Sequence, residues 1–129
     1  MNIYGPYFST KELGIMDTTP AEIREKMYLL VKFALNPIRL RYGPTRITSG
    51  NRSPEKNASV GGVETSQHIT GEAADILCPH ANMREVFEWL RTWWPGQVFY
   101  YSKKGHVHIA LPNISLQLAG RLYAQILDK

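Results

Sequence analysis

The sequence predicts an α+β fold: a small, mostly antiparallel sheet with helices packed to one side. Three observations lead there. Helical periodicity dominates the first 40 residues, while most strand-like runs come later, with further helices set apart from them. Two β-prone runs, 97–101 and 106–111, are joined by Ser102-Lys103-Lys104-Gly105, a hairpin turn that makes neighbours antiparallel. Ala73-Ala74-Asp75-Ile76-Leu77 is a short apolar run that reads as a buried strand.

Taken in order, Ser9-Thr10-Lys11-Glu12 has the form of a capping box opening a short helix. A stronger helix start follows, with Thr19 as N-cap, Pro20 at the first helical position and Glu22 three residues after the cap. Ile23, Met27, Leu30, Val31 and Ala34 then recur at helical spacing. Asn36-Pro37 bends or ends that helix, because the residue before a proline is pushed out of the helical region. Thr45 to Ser49 alternates as a strand closed by Gly50. Ser53-Pro54-Glu55 starts a short helix that Gly61-Gly62 stops. Asn82 caps a helix with Met83, Val86, Phe87, Leu90 and Trp94 on one face, ended by Pro95-Gly96. Asn113 caps a last helix, with Ile114, Leu118, Leu122 and Ile126 inward.

At 129 residues, without repeats or an evident linker, the chain is expected to form one domain, 1–129. Its 43% hydrophobic and 20% charged residues are those of a globular protein. The single cysteine, Cys78, excludes an internal disulfide and argues against a cysteine-built zinc site. No apolar stretch approaches the ~18 residues needed to span a membrane, and Met1 to Pro6 lacks the pattern of a signal peptide. Synthesis in the cytoplasm is therefore expected, with a separate exit route for any work outside it. The net charge of +4 is modest, and its densest region is Arg39, Arg41, Arg46 and Arg52. Surface solubility accounts for it, with attraction to an anionic polymer as the alternative.

An ionised carboxylate within the run 73–77 is costly unless a cation meets it. Of the four histidines, His106 and His108 stand two apart on a predicted strand and so point to one face. With His68 and Asp75 they supply nitrogen and oxygen donors suited to a borderline cation. Three protein ligands plus an open position is the arrangement of catalytic zinc. The expected cation facing Asp75 is therefore a metal. Spacing alone does not choose between His106 and His108 as ligand.

Three stretches carry a resemblance: Ser49-Gly50-Asn51-Arg52-Ser53-Pro54-Glu55-Lys56-Asn57 with Val60-Gly61-Gly62; Ser66-Gln67-His68-Ile69-Thr70-Gly71-Glu72-Ala73-Ala74-Asp75-Ile76; and Tyr100 to Ile109, around His106-Val107-His108. Together they resemble the signature of the D-alanyl-D-alanine carboxypeptidase family of zinc peptidases, which are grouped structurally with lysostaphin-type and hedgehog-type domains. Phe8-Ser9-Thr10-Lys11-Glu12-Leu13 is similar to that family's N-terminal segment, so the resemblance runs from about residue 8 to 111. It implies that His68, Asp75 and His108 bind Zn2+, and that His106 sits beside the reacting water as proton acceptor or hydrogen-bond donor. It places Arg52 near the substrate carboxylate or scissile carbonyl, where a bidentate guanidinium suits an oxyanion. Ser66 is implied as a substrate contact.

Two positions depart from the family pattern. Several relatives carry a carboxylate three residues before the last ligand, where this chain has Gly105, and an acidic or hydroxyl residue two after it, here Ala110. His106 is then the first candidate for the base, since imidazole exchanges protons near neutral pH. Glu72 is the second. The resemblance implies a peptidase acting on peptidoglycan stem peptides or cross-links, and the missing signal peptide suggests a phage endolysin. A monomer without specific nucleic-acid partners is expected. The rival reading is a non-catalytic zinc-binding domain of the same fold, acting as a binding module.

Overall fold

The computed structural model describes residues 3–52, 58 and 71–112. The proposed helices opening at Ser53 and Asn113 lie outside them. The capping-box pattern near the N-terminus is present: the Ser9 amide and hydroxyl donate to Glu12 Oε1, and the Glu12 amide donates to Ser9 Oγ. It closes hydrogen-bonded turns rather than a helix. Those turns end at Gly14, whose φ of 73° suits a residue without a Cβ. Here the chain lies directly against residues 50–51. The Asn51 amide donates to the Leu13 carbonyl at 2.7 Å, and a side chain at Gly50 would collide with the Leu13 backbone.

Helix α1 spans Ala21–Leu30, one residue later than expected, with Pro20 at the cap position. Thr19 does not cap it. Its hydroxyl instead accepts from the Met16 amide at 2.9 Å, closing the preceding turn. Pro37 bends the helical run without ending it. A wider π-helical turn, Val31–Leu35, precedes α2, Asn36–Tyr42, and the Asn36 amide reaches back to the Val31 carbonyl. Proline has no amide to donate and its ring crowds the preceding turn. Widening that turn lets the helix continue to Gly43, where φ is 80°.

The remaining elements are β1 (Arg46–Ser49), β2 (Ala73–Leu77), α3 (Met83–Arg91), β3 (Val98–Tyr101) and β4 (His106–Ala110). Asn82 caps α3 as expected, its side-chain oxygen accepting from the amides of Arg84 and Glu85. The helix stops at Arg91, ahead of Pro95-Gly96, and Trp94 leaves it to donate from Nε1 to the Ala110 carbonyl at 2.8 Å. The hairpin turn closes with the Gly105 amide on the Tyr101 carbonyl and Gly105 at φ 74°.

The strands form one open antiparallel sheet in the order β1-β2-β4-β3. Alternation sorts their side chains. Ala74 and Ile76 of β2 and Val107 and Ile109 of β4 are fully buried, in one cluster with Met27, Leu30, Leu35 and Ile38 of the helical run and Val86 and Leu90 of α3. The fold is thus the expected α+β arrangement, and β2 and β4, its two inner strands, carry the residues of interest on the other face.

Candidate metal centre

Asp75 and His108 are register partners on the inner strands. Their side chains meet, with His108 Nδ1 2.8 Å from Asp75 Oδ1 and only 11% and 15% of the two side chains exposed. Period-2 alternation puts the polar pair on one face while Ala74, Ile76, Val107 and Ile109 fill the other. The chemistry of this donor set fits zinc: one anionic oxygen and one imidazole nitrogen, both largely out of water and aimed at each other. Among the described residues no third histidine, cysteine or acid joins them. His68 and Ser66 lie outside the described residues.

His106 stands two residues before His108 on the same face of β4, as its spacing predicts. Its Nδ1 lies 3.3 Å from Thr48 Oγ1, so the ring leans across β2 toward β1. Arg52 follows the end of β1, half-buried, and donates from Nε to Ser49 Oγ at 3.1 Å. Ser49 is itself the register partner of Asp75. The structure thus brings Asp75, His106 and His108 onto one face, with Arg52 tied to the strand beside them.

Glu72, the second candidate base, points elsewhere. It lies three residues before Asp75, hence on the opposite side of the chain, and forms an ion pair with Lys26 of α1 at 3.3 Å. His80 is exposed in a turn, and Cys78 is buried beside Thr45, its thiol pushed above its ordinary range mainly by burial.

Three neighbours of the site escape the sequence reading. Thr48 reads only as part of a strand, and Ser49 as its end and the first residue of a family-like stretch, neither with a role in the site. Tyr101 is the register partner of His106, and its aromatic neighbour Phe99 is that of His108. The Tyr101 phenol is held above its ordinary range, first by burial and then by the negative charge of Asp75, with Arg52 pulling the other way. Tyr101 therefore senses both charged groups and stays protonated, a neutral donor at the rim of the site. Its pairing with His106 was available from the hairpin: a four-residue turn over 102–105 sets 101 opposite 106.

A carboxylate and an imidazole converging on the inner strands of an antiparallel sheet, with a second imidazole alongside, are the donor chemistry of a metallohydrolase. The family model for Peptidase M15 matches residues 7–110, and the chain belongs to that family. Its members are generally zinc-dependent peptidases of the peptidoglycan-acting kind, which makes this chain a peptidase at the level of its family. A search among curated proteins returns no match. No helix among the described residues is long and apolar enough to cross a membrane.

Proposed function

We propose that the chain is a single-domain zinc peptidase, 1–129, that hydrolyses peptide bonds in bacterial peptidoglycan stem peptides or cross-links. The observation that carries this reading is the facing pair, His108 Nδ1 and Asp75 Oδ1 at 2.8 Å, with His106 on the same face. His68, Asp75 and His108 would hold the metal. When bound, zinc supplies Lewis-acid polarisation of the scissile carbonyl and activation of water.

The protein's own groups divide the remaining work. His106 takes a proton from the attacking water at Nε2, since Nδ1 faces Thr48, and returns it to the leaving amine. Arg52 donates from its terminal guanidinium nitrogens to the developing oxyanion or to a substrate carboxylate, its Nε being held by Ser49. Ser66 contacts the substrate. The protein works as a monomer with no specific nucleic-acid partner. A wall hydrolase made in the cytoplasm and released through a separate membrane-permeabilising protein is a phage endolysin, the biological role that fits best.

Gly105 favours one rival. The carboxylate that relatives place there is absent, which suits a zinc domain that binds wall peptides without cutting them. One preparation decides between the two. The purified protein should hold about one zinc per chain, lose it in His68→Ala, and release peptides from purified peptidoglycan, with product masses identifying the bond cut. Full zinc with no released peptide establishes the binding module. Full zinc occupancy in His68→Ala overturns the ligand set.

A further inference from the structure

Strand β1 is irregular where it meets the site. Arg46 pairs with Leu77 and Ile47 with Ile76, but Ser49 rather than Thr48 pairs with Asp75. One extra residue has been inserted into β1, a β-bulge. In a regular strand Thr48 and Ser49 would face opposite sides of the sheet, so only one hydroxyl could serve the site. The bulge lets both do so. Ser49 shares the face of its partner Asp75 and accepts from Arg52 Nε at 3.1 Å, while Thr48 Oγ1 lies 3.3 Å from His106 Nδ1. Bulges beside active sites commonly re-aim a side chain. Here two adjacent hydroxyls each hold one of the two side chains to which the proposed chemistry is assigned.

We infer that the Thr48–Ser49 bulge is the positioning device for His106 and Arg52, an inference that rests on the roles proposed above for those two side chains. Thr48 accepts a hydrogen bond from His106 Nδ1–H. That bond fixes the ring plane, and with Nδ1 donating to Thr48 the Nε2 lone pair is left to accept a proton. Ser49 accepts from Arg52 Nε and so fixes the orientation of the guanidinium plane. Neither hydroxyl need touch the substrate.

The test compares Thr48→Val, which keeps the β-branched shape at this exposed position and deletes the hydroxyl, with Thr48→Ser, which keeps the hydroxyl. Turnover is followed on a peptidoglycan peptide with the zinc-loaded protein, alongside zinc content and Tm. Thr48→Val should lower kcat about tenfold with KM, zinc and Tm unchanged, and Thr48→Ser should restore kcat to within about twofold. In a His106→Ala background Thr48→Val should cost nothing further, since coupled residues are not additive. Ser49→Ala should lower kcat/KM in the wild type and add nothing to Arg52→Ala.

A full additional loss in either double variant overturns the inference, as does equal activity of Thr48→Val and Thr48→Ser. An undiminished Thr48→Val alongside an impaired His106→Ala overturns the positioning role while sparing the proton role. An undiminished His106→Ala overturns the proton role, and the assignment of Thr48 falls with it.

Discussion

The two faces of the same four strands make opposite use of their residues. On one, Ala74, Ile76, Val107 and Ile109 are sealed against the helices. On the other, Asp75 meets His108, His106 meets Thr48, and Phe99 and Tyr101 remain 52% and 39% exposed. Neighbours in sequence therefore belong to different economies. Burial of apolar area on the first face stabilises the fold, while the second gathers polar groups whose desolvation stabilises nothing unless a partner or ion meets them. Stability and chemistry are separated by a single step along the strand, so substitutions at adjacent positions should separate them too.

The largest effects should come from Asp75 and its neighbour Ile76. Asp75→Ala should abolish peptide release together with most bound zinc, and remove the rise in Tm that zinc gives by binding only the folded state. Ile76→Ala, one residue on, should keep the metal and instead lower unfolding free energy by about 2–5 kcal/mol through loss of core packing. Zinc analysis and denaturant titration of the two variants check this. Zinc loss in Ile76→Ala at a temperature where it is fully folded would show that the two faces are not independent. A narrower comparison lies along β4. His106→Ala should retain zinc and lose on the order of 100- to 10,000-fold in rate. Loss of the metal instead would exchange the roles of the two histidines.

The smallest expected effect belongs to the core side and to alkaline pH. Tyr4, 1% exposed with its hydroxyl donating to the Arg24 carbonyl, has its phenol raised above 10.0 chiefly by burial, and burial raises the Cys78 thiol above 9.0. Both groups ionise more readily in the unfolded chain. The stability they contribute is fully present below about pH 9 and is lost as pH rises through their folded values. Tm should therefore fall progressively above pH 9, and Tyr4→Phe, somewhat less stable at neutral pH, should show the shallower alkaline decline. An unchanged slope in Tyr4→Phe would assign the decline to other groups.

What sequence alone disclosed follows the range of the interactions concerned. The capped helix from Asn82, the hairpin over 102–105 and the shared face of His106 and His108 depend on residues a few positions apart, and the structure has them as read. Asp75 stood out because a carboxylate in an apolar strand demands a partner, and His108 meets it. Pro37 was legible as a break in regularity but not as a π turn, since the continuation to Tyr42 depends on burying Leu35 and Ile38 in the core. Thr19 looked like a cap because hydroxyls cap helices. The alternative donor, the Met16 amide, appears only once the preceding turn has formed. The bulge at Thr48 was invisible for a deeper reason. Register between β1 and β2 joins segments some 25 residues apart, and no local pattern in Arg46-Ile47-Thr48-Ser49 encodes an inserted residue.

Asp75 and His108 lie on β2 and β4, each paired to a neighbour on both sides, whereas among the described residues β1 and β3 form the borders of the sheet. Backbone fluctuations fray a sheet from its borders inward, and amides of inner strands typically exchange with solvent only when the whole domain opens. The two donors should therefore sit among the slowest-exchanging amides, which hydrogen exchange would read directly. Their mutual placement persists for as long as the chain stays folded, and little ordering entropy remains to be lost when an ion arrives. Thr48 and Ser49, on a bordering strand, ride on a more yielding support, so gradual warming should loosen the grip on His106 and Arg52 before it disturbs the donor pair.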